Sequence, residues 1–516
     1  MALIASFFSV ILGLPLAYVF YRLDFKTRKF WRSVIMIPFV LPTTVVGVAF
    51  RSLFAENGVL GFLKLDGTVT AIIIAMVFFN LCVVVRIVGV FWQGIDPRFA
   101  DVARLLGASK IRIFNTITFP ALLPSIISSF CVVFLFCATS FGVVLVMGGA
   151  SVSTLETQIY ILTTQFLDLK TASVLSILQI ILVAFLLVFS SKFDTKIFYK
   201  QKLYSGKTNS RNLMKPSSFD WGLIVSALII VLFLIITPIA VLVVRSFTRN
   251  GEFTFENYIN LFSQDLSRSG SISVFEAMQN SLIIALVAGF ISTIIGFLVS
   301  FVLSRQTFIS ENTQNKELYI RQTNTARNAF LLVKIRKFLA RIIEYALPKI
   351  TKIFDMLFIL PLGISAATVG FGFLITVNVL IYDTAFQWWL VPFAQATVAV
   401  PLVIKSMLPV VRGIDRRQLE VACLLGASPM RRFITIESHY FIPAILNAFG
   451  LALVVSFGEF GATSFLFRSE GATLPVMIYS LIGQPTAVHQ GMANASCVVL
   501  SAFVCFIVFL GQKISR

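Results

Sequence analysis

The sequence predicts an all-α, polytopic transmembrane protein, on three grounds: its composition, the length of its apolar runs and an internal repeat. Of 516 residues, 58% are hydrophobic and 13% are charged, whereas a soluble domain has about 45–50% and about 25%. The mean hydropathy is +0.92. A water-soluble protein of this size cannot bury so much apolar surface, so soluble fold classes are excluded.

Apolar runs long enough to cross a bilayer recur along the whole chain. A helix needs about 20 consecutive apolar residues to span the hydrocarbon core. Eleven windows meet this condition: 2–22, 33–55, 70–92, 121–148, 172–191, 221–246, 279–304, 353–376, 388–411, 442–466 and 491–511.

Basic residues dominate the charged positions, with 42 Lys and Arg against 23 Asp and Glu and a net charge of +19. They cluster in short loops such as 22–32 and 192–219 and at the C-terminal tail, which fall on one side if the spans alternate. The positive-inside rule makes that side the cytoplasm. Topology therefore explains the charge, and no nucleic-acid partner is expected. The six cysteines lack CxxC or Cys/His spacing, so we expect neither disulfides nor a metal site.

An internal repeat divides the chain into two halves. Residues 101–109 recur as 420–428 at an offset of 319, and the register continues to 160 and 479. Further matches are Phe141-Gly142 with Phe460-Gly461, Ile159-Tyr160 with Ile478-Tyr479 and, at an offset of 323, Pro38 with Pro361 and Gly47 with Gly370. Such repeats predict pseudo-twofold symmetry with a transport path at the repeat interface.

The repeat defines the predicted domain organisation. Residues 1–191 form the first repeat, 192–220 a cytoplasmic linker, and 221–516 the second repeat with a basic insertion at 306–352. Span 221–246 has no counterpart in the first half. The sequence thus shows eleven spans where twelve are expected, as if the first repeat lacked its first helix; a natural eleven-span protein is the alternative.

The duplicated segment has the pattern of a helix, a glycine break and a second short helix, both times on the basic side. Gly107 and Gly426 let the backbone turn sharply, and the short helix before each can dock in a groove of a partner. An ordinary loop helix is the alternative for one copy. Two copies at equal topological positions favour docking.

These paired segments, with the pattern (D/E)-V-A-x-L-L-G-A-S, resemble the EAA loop of type I ABC importer permeases. The resemblance covers nearly the whole chain as two tandem permease repeats. It implies two ATPase subunits on the cytoplasmic side, an extracytoplasmic solute-binding protein and a bacterial inner-membrane location. The residues it places against the ATPases are Asp101, Ala103, Gly107, Ala108, Glu420, Ala422, Gly426 and Ala427. Val102, Val421 and Ser438-His439 depart from the family pattern.

Catalytic motifs are absent from the sequence. No G-x-x-x-x-G-K-[ST] phosphate loop occurs, so ATP hydrolysis is expected from a partner subunit. No G-x-S-x-G or H-E-x-x-H motif occurs either, and neither a cofactor nor a bound metal is expected. An ATP-independent secondary transporter is a rival interpretation, but it would need charged relays across several spans.

Glu459 is the ionisable residue that stands out within the spans, and its repeat equivalent is the uncharged Ser140. A carboxylate in a membrane helix is costly and by default a functional candidate. We therefore take Glu459 and Ser140 as translocation-path candidates. Glu459 would either attract a cation or hold a helix break between Gly458 and Gly461.

The cargo is suggested by a second resemblance. The fused layout, the segments 136–143 and 154–160, and Thr473-Leu-Pro475 are similar to thiamine importer permeases. Ferric-iron importer permeases share the layout and are the alternative, followed by sulfate and molybdate permeases. A carboxylate in the path suits a cationic vitamin better than an oxyanion.

The insertion 306–352 interleaves basic and apolar residues, which predicts a basic amphipathic helix. Its expected partner is the anionic lipid of the cytoplasmic leaflet. Contact with the ATPase is the alternative.

Overall fold

The computed structural model describes residues 1–96, 98–149, 152–200, 211–212, 218–263, 272–322, 365–380, 387–466, 471–484 and 486–514. Residues 353–364 of the predicted span 353–376 and residues 323–352 of the predicted lipid-binding insertion lie outside these ranges. Helices account for nearly all of the regular structure in the described residues, which confirms the all-α prediction.

The first part of the chain alternates long helices with short ones. The α-helices are Ala2–Ala17, Arg28–Val40, Thr43–Phe54, Val69–Gln93, Arg98–Leu105, Lys110–Ile113, Phe119–Ala138, Gly142–Gly148, Leu155–Thr164 and Leu169–Lys200. π-Helical turns at Tyr18–Arg22 and Phe114–Thr118 continue two of them, and Gly61–Leu63 is a 3₁₀ turn. Strand Leu23–Asp24 pairs in parallel with Arg211–Asn212.

The second part repeats this alternation. Its α-helices are Ser218–Ile230, Thr237–Ser246, Glu256–Ile259, Val274–Gln322, Ala366–Leu380, Gln387–Arg412, Arg416–Leu424, Pro429–Arg432, Ser438–Phe457, Gly461–Leu466, Leu474–Ile482 and Ala487–Ile514. π-Helical turns lie at Val231–Ile236 and Phe433–Glu437, and a 3₁₀ turn at Asn260–Phe262. Strands Thr248–Arg249 and Glu252–Phe253 form a small antiparallel hairpin.

Nine helices within the described ranges are long and apolar enough to cross a membrane, or ten if one bent pair counts as a span. They are Ala2–Arg22, Val69–Gln93, Ile111–Ala138, Leu169–Leu187, Asp220–Ser246, Val274–Leu303, Trp389–Arg412, Met430–Phe457 and Ala487–Leu510. The prediction of a multi-pass membrane protein is confirmed.

Three predicted spans differ from the structure because each contains a break. Window 33–55 is two helices, Arg28–Val40 and Thr43–Phe54, which meet at 97°. Leu41 is extended before Pro42, and the ring of a proline disfavours helical backbone at the preceding residue. Windows 121–148 and 442–466 are likewise wrong as continuous spans, because their long helices end at Ala138 and Phe457 and short helices follow.

The internal repeat reappears as a repeat of structure. Helix Lys110–Ile113, its π-helical turn, helix Phe119–Ala138, the short helix Gly142–Gly148 and helix Leu155–Thr164 recur 319 residues later. The recurring elements are Pro429–Arg432, Phe433–Glu437, Ser438–Phe457, Gly461–Leu466 and Leu474–Ile482. Even the π-helical turns match in position, so the two copies share their local backbone irregularities.

The chain forms two compact units that do not follow the order of the repeats. The first comprises Met1–Leu282, Gly363–Trp388 and Gly458–Cys505, and the second comprises Ile283–Leu362, Trp389–Phe457 and Phe506–Arg516. The first unit therefore contains residues from both repeats. Its largest cluster includes Phe50, Phe78 and Met76, and a core cluster of the second includes Val403, Met407 and Ala452.

Span Asp220–Ser246, the first span of the second repeat by sequence, packs on helices of the first repeat within the first unit. Its residues Ala227, Val231 and Ile235 share a core with the end of the first span. The Tyr18 hydroxyl donates a hydrogen bond of 2.6 Å to Asp220 Oδ1. Contacts between the repeats are thus part of the core of this unit.

Gly370 gives a test of close packing in the first unit. A Cβ on Gly370 would lie 2.6 Å from the Ala462 backbone, whereas a Cβ on Gly372 would meet nothing within 4 Å. We expect Gly370→Ala to destabilise the protein by about 1–3 kcal/mol, because backbone must move to admit the methyl group. Gly372→Ala, two residues away on the same helix, is the matched control. Thermal unfolding of the detergent-purified variants measures the difference, and equal melting temperatures would contradict the packing described.

Candidate functional site

The two copies of the repeated loop have the same backbone design. We call residues 98–118 the first coupling segment and residues 416–437 the second. In the first, Gly107 adopts φ +81 and its N–H bonds to Arg104 O, while the Ala108 N–H bonds to Ala103 O at 3.0 Å. This pair of bonds is the Schellman motif that ends a helix with a left-handed glycine.

The second coupling segment reproduces each of these bonds. Gly426 adopts φ +77 and donates to Cys423 O, and Ala427 donates to Ala422 O at 3.0 Å. The predicted residues Ala422 and Ala427 therefore contribute backbone groups to the turn. A side chain with a Cβ is strained at positive φ, so glycine is strongly favoured at the centre of each turn.

An aspartate that the sequence analysis missed lies just before each coupling segment. Asp96 Oδ1 accepts from the Arg98 N–H at 3.0 Å, and Asp415 Oδ1 accepts from the Arg417 N–H at 3.0 Å. Aspartate is a preferred residue at a helix start because its carboxylate satisfies a free N–H group. The signal was present in the sequence, because the two aspartates are separated by the same 319 residues.

Both coupling segments carry large apolar side chains that are exposed. The exposed fractions are 87% and 82% for Leu105 and Leu106, and 88% and 81% for Leu424 and Leu425. The departures from the family pattern, Val102 and Val421, are also exposed. An open groove of ≈ 490 Å³ on the second segment is lined by Arg417, Gln418, Val421, Ala422, Leu425 and Ile436.

The acidic residues of the two segments have different neighbours. Asp101 forms an ion pair of 2.6 Å with Arg104 on the same helix, and both side chains are more than half exposed. An exposed pair of this kind contributes little stability. The residue equivalent to Arg104 is Cys423, which is exposed and carries no positive charge. Glu420 is exposed as well.

The path candidate Glu459 is buried and bonded to the short helix that follows it. Its Oε1 accepts from the Ala462 N–H at 2.7 Å, and its Oε2 accepts from the Thr463 N–H at 3.1 Å and the Thr463 hydroxyl at 2.7 Å. These bonds satisfy N–H groups that a helix start leaves free. Ser140, the equivalent residue, is half-buried before helix Gly142–Gly148.

Glu459 is therefore expected to stabilise the start of helix Gly461–Leu466. We expect Glu459→Ala to lower the free energy of unfolding by about 0.5–2 kcal/mol, the usual range for loss of a helix cap. Ser140→Ala, at the equivalent position of the first repeat, is the matched control and should change stability less. Thermal melting of purified protein provides the measurement. A destabilisation no larger than that of the control would show that the bonds to Ala462 and Thr463 are dispensable.

The residues that follow Ser140 and Glu459 in the sequence are Phe141 and Phe460, which are equivalent in the repeat and contact each other. The rings of Phe141 and Phe460 stack with centroids 5.4 Å apart and planes 25° apart. Tyr160 contacts Phe141 at 5.4 Å, and its equivalent Tyr479 contacts Phe460 at 5.5 Å. We call these four residues the aromatic junction. All four belong to the first compact unit.

Each of the two junction phenylalanines is followed by a glycine, Gly142 or Gly461, that packs closely on a second helix. A Cβ on Gly142 would collide with the side chain of Thr43, and a Cβ on Gly461 would lie 3.0 Å from Ala366 Cβ. Thr43 and Ala366 are themselves equivalent at the offset of 323, and each begins a helix. The same pair of packed helices thus occurs once in each repeat.

Comparison with known proteins agrees with the duplicated architecture. The family described as binding-protein-dependent transport system inner membrane component matches residues 9–201 and again residues 338–515. The chain belongs to this family.

Members of the family resemble the chain over different extents. The thiamine transport system permease proteins of Escherichia coli K12 and Haemophilus influenzae are 24% and 23% identical to it, each over 98% of the chain and 86% of their own length. A probable sulfate transport system permease protein of Prototheca wickerhamii is 32% identical over 37% of the chain and 77% of its own length. The chain is accordingly a multi-pass permease of the bacterial plasma membrane.

Proposed function

We propose that this ABC importer permease carries thiamine, and that two separate ATPase subunits drive it by docking on the two coupling segments. The assignment of thiamine as the cargo rests on how much of the chain each relative matches. The thiamine permeases align with 98% of the chain, through both repeats, whereas the sulfate permease aligns with 37%. A fused pair of repeats is thus shared along its whole length with the thiamine proteins.

Exposed leucines support the docking of ATPase subunits. Leu105, Leu106, Leu424 and Leu425 are each more than four-fifths exposed in the described structure. Burying a leucine side chain contributes about 1.5–3 kcal/mol, so a partner that covers these residues gains substantially from contact. The same two leucines occur in each segment, which suits two identical partner subunits.

The predicted residues of the loops divide between two roles in this proposal. Gly107 and Gly426 set the turn, and Ala103, Ala108, Ala422 and Ala427 form it while leaving room for close approach. Asp101 and Glu420 are exposed. Basic groups of the ATPase would contact Glu420 directly and would compete with Arg104 for Asp101. Nucleotide-driven closure of the ATPases would then move the segments and switch the packing of the membrane helices.

An extracytoplasmic binding protein would deliver the solute to the opposite face. Thiamine is an organic cation with two aromatic rings, and it suits a protein in which 13% of the residues are aromatic. Sulfate is the second candidate, because the sulfate permease has the higher identity over the part that it matches. Ferric iron and molybdate complete the set of solutes to be tested.

Transport by the reconstituted complex tests this proposal. The permease, its ATPase and its binding protein are placed in proteoliposomes, and uptake of radiolabelled thiamine is measured with and without ATP. We expect ATP-dependent thiamine uptake that an excess of unlabelled sulfate, molybdate or Fe(III) citrate does not reduce. Uptake of one of those solutes instead would overturn the cargo. Thiamine uptake by the permease alone, without ATPase, would identify a secondary transporter.

A further inference from the structure

The four residues of the aromatic junction occupy a special position in a duplicated protein. Phe141 and Phe460 are equivalent at the offset of 319, and they touch each other. In two copies related by a pseudo-twofold axis, equivalent residues meet only close to that axis. A path lined equally by both copies must follow the same axis.

We infer that the aromatic junction is the gate of the translocation path, closed in this structure, and that its rings select an aromatic organic cation over an oxyanion. The preference for a cation rests on the proposed transport of thiamine. The assignment of the gate does not depend on which solute is carried. Membership of the family does not say which residues of this chain line the path. The contacts of the aromatic junction point to four of them.

The junction is closed in the described conformation. Phe141 is 5% exposed and Phe460 is 2% exposed, so neither ring borders open space. The stacked rings, 5.4 Å apart at their centroids, leave no passage between them. Apolar constrictions of this kind stop ions and polar solutes because water cannot accompany them.

The backbone allows each half of the gate to move as a small rigid piece. Phe141 and Phe460 lie in the breaks between a long helix and the short helices Gly142–Gly148 and Gly461–Leu466. Each short helix is packed closely on a neighbour through Gly142 or Gly461. A shift of the packed helix pair would carry its phenylalanine with it, and hinges of a few residues are typical of such motions.

The chemistry of the junction favours a cation. Phenylalanine and tyrosine present negative ring faces, which attract cations. An oxyanion needs several hydrogen-bond donors. The Ala462 and Thr463 N–H groups are already bonded to Glu459, and the four junction side chains offer only the two tyrosine hydroxyls. Arg51, the positive charge that acts electrostatically on Tyr479, is exposed and lies outside the buried stack of Phe141 and Phe460.

Passive efflux of solute through the reconstituted complex tests the gate without requiring ATP-driven transport. Complexes carrying Phe141→Ala and Phe460→Ala together are reconstituted in liposomes loaded with radiolabelled thiamine or radiolabelled sulfate, and efflux is followed without nucleotide. We expect thiamine efflux to rise on the order of tenfold or more over the unsubstituted complex, because the apolar constriction is removed. Sulfate efflux should rise less.

The control is a second stacked pair of phenylalanines. Phe130 and Phe134 stack within one helix at 6.5 Å, away from the repeat-related contact. Phe130→Ala with Phe134→Ala removes the same number of ring atoms, and it should leave efflux unchanged. A folded junction variant that leaks neither solute would overturn the gate. Sulfate efflux that exceeds thiamine efflux would overturn the preference for cations.

A milder pair of variants tests the selectivity when the alanine variant does not fold. Phe141→Leu with Phe460→Leu keeps an apolar seal but removes the ring faces. We expect no leak and a higher KM for thiamine uptake. An unaltered KM would overturn the role of the rings. If the unsubstituted complex imports no thiamine while the alanine variant still leaks, the gate stands and the cargo proposal alone fails.

Discussion

Replacing Gly107 and Gly426 together with valine is expected to abolish solute-stimulated ATP hydrolysis by the reconstituted complex while the permease still inserts in the membrane. Both glycines adopt positive φ, and a Cβ added to either would meet nothing within 4 Å, so backbone conformation, not crowding, excludes valine. A β-branched residue in this region costs about 1–3 kcal/mol, and the turn is expected to relax into another conformation. The two helices of each coupling segment would then lose their fixed angle.

Gly67→Val is the matched control for this experiment. Gly67 also has a positive φ, +70, and open space around its Cβ position, but it lies outside both coupling segments. It therefore carries the same local strain without touching the proposed docking surface. Solute-stimulated ATP hydrolysis is measured for both variants in the same lipid. Full stimulation in the double variant would refute the assignment of the coupling segments.

The second large effect is expected from Leu106→Ser combined with Leu425→Ser. These equivalent leucines are 82% and 81% exposed, and each would contribute about 1.5–3 kcal/mol if an ATPase subunit covered it. We expect the affinity between permease and ATPase to fall by at least about tenfold for each substitution, a conversion in which about 1.4 kcal/mol is one factor of ten. This affinity is measured by co-purifying the ATPase with the detergent-solubilised permease over a range of ATPase concentrations.

The control for the leucines is Phe62→Ser. Phe62 is 75% exposed on a 3₁₀ turn outside both coupling segments, so its substitution removes exposed apolar surface elsewhere. ATPase affinity should not change. If the double leucine variant binds the ATPase as tightly as the unsubstituted permease, the exposed leucines have no part in docking.

Much of the fold follows from the sequence because membrane burial is a strong and simple constraint. Apolar runs and the repeat predicted long helices and two copies, and the structure and the family match confirm both. The breaks within 33–55, 121–148 and 442–466 were missed because the residues on both sides are equally apolar. Hydropathy does not distinguish a helix that crosses the membrane from two shorter helices that meet at an angle.

The candidate site was predicted in part. The glycines of the coupling segments were identified because they recur at the same offset, but the Schellman bonds that explain Ala103 and Ala108 depend on backbone geometry. The aromatic junction was not predicted, although Phe141 and Phe460 were recognised as equivalent. That two equivalent residues touch depends on how the repeats pack, which a pairwise comparison of sequence positions does not contain.

The central claim is that the two coupling segments bind an ATPase on the cytoplasmic side. Accessibility of introduced cysteines tests it, because Cys423 is the one exposed cysteine and the other five are buried or half-buried. In a Cys423→Ser background, Leu106→Cys, Leu425→Cys or Phe62→Cys is labelled with a membrane-impermeant maleimide in inverted and in right-side-out vesicles.

We expect the thiols at positions 106 and 425 to react only in inverted vesicles and to be protected when purified ATPase is added. The thiol at position 62 should react only in right-side-out vesicles, with or without ATPase. Labelling of 106 and 425 from the outside, or labelling from the inside at a rate that the ATPase does not change, would contradict the account.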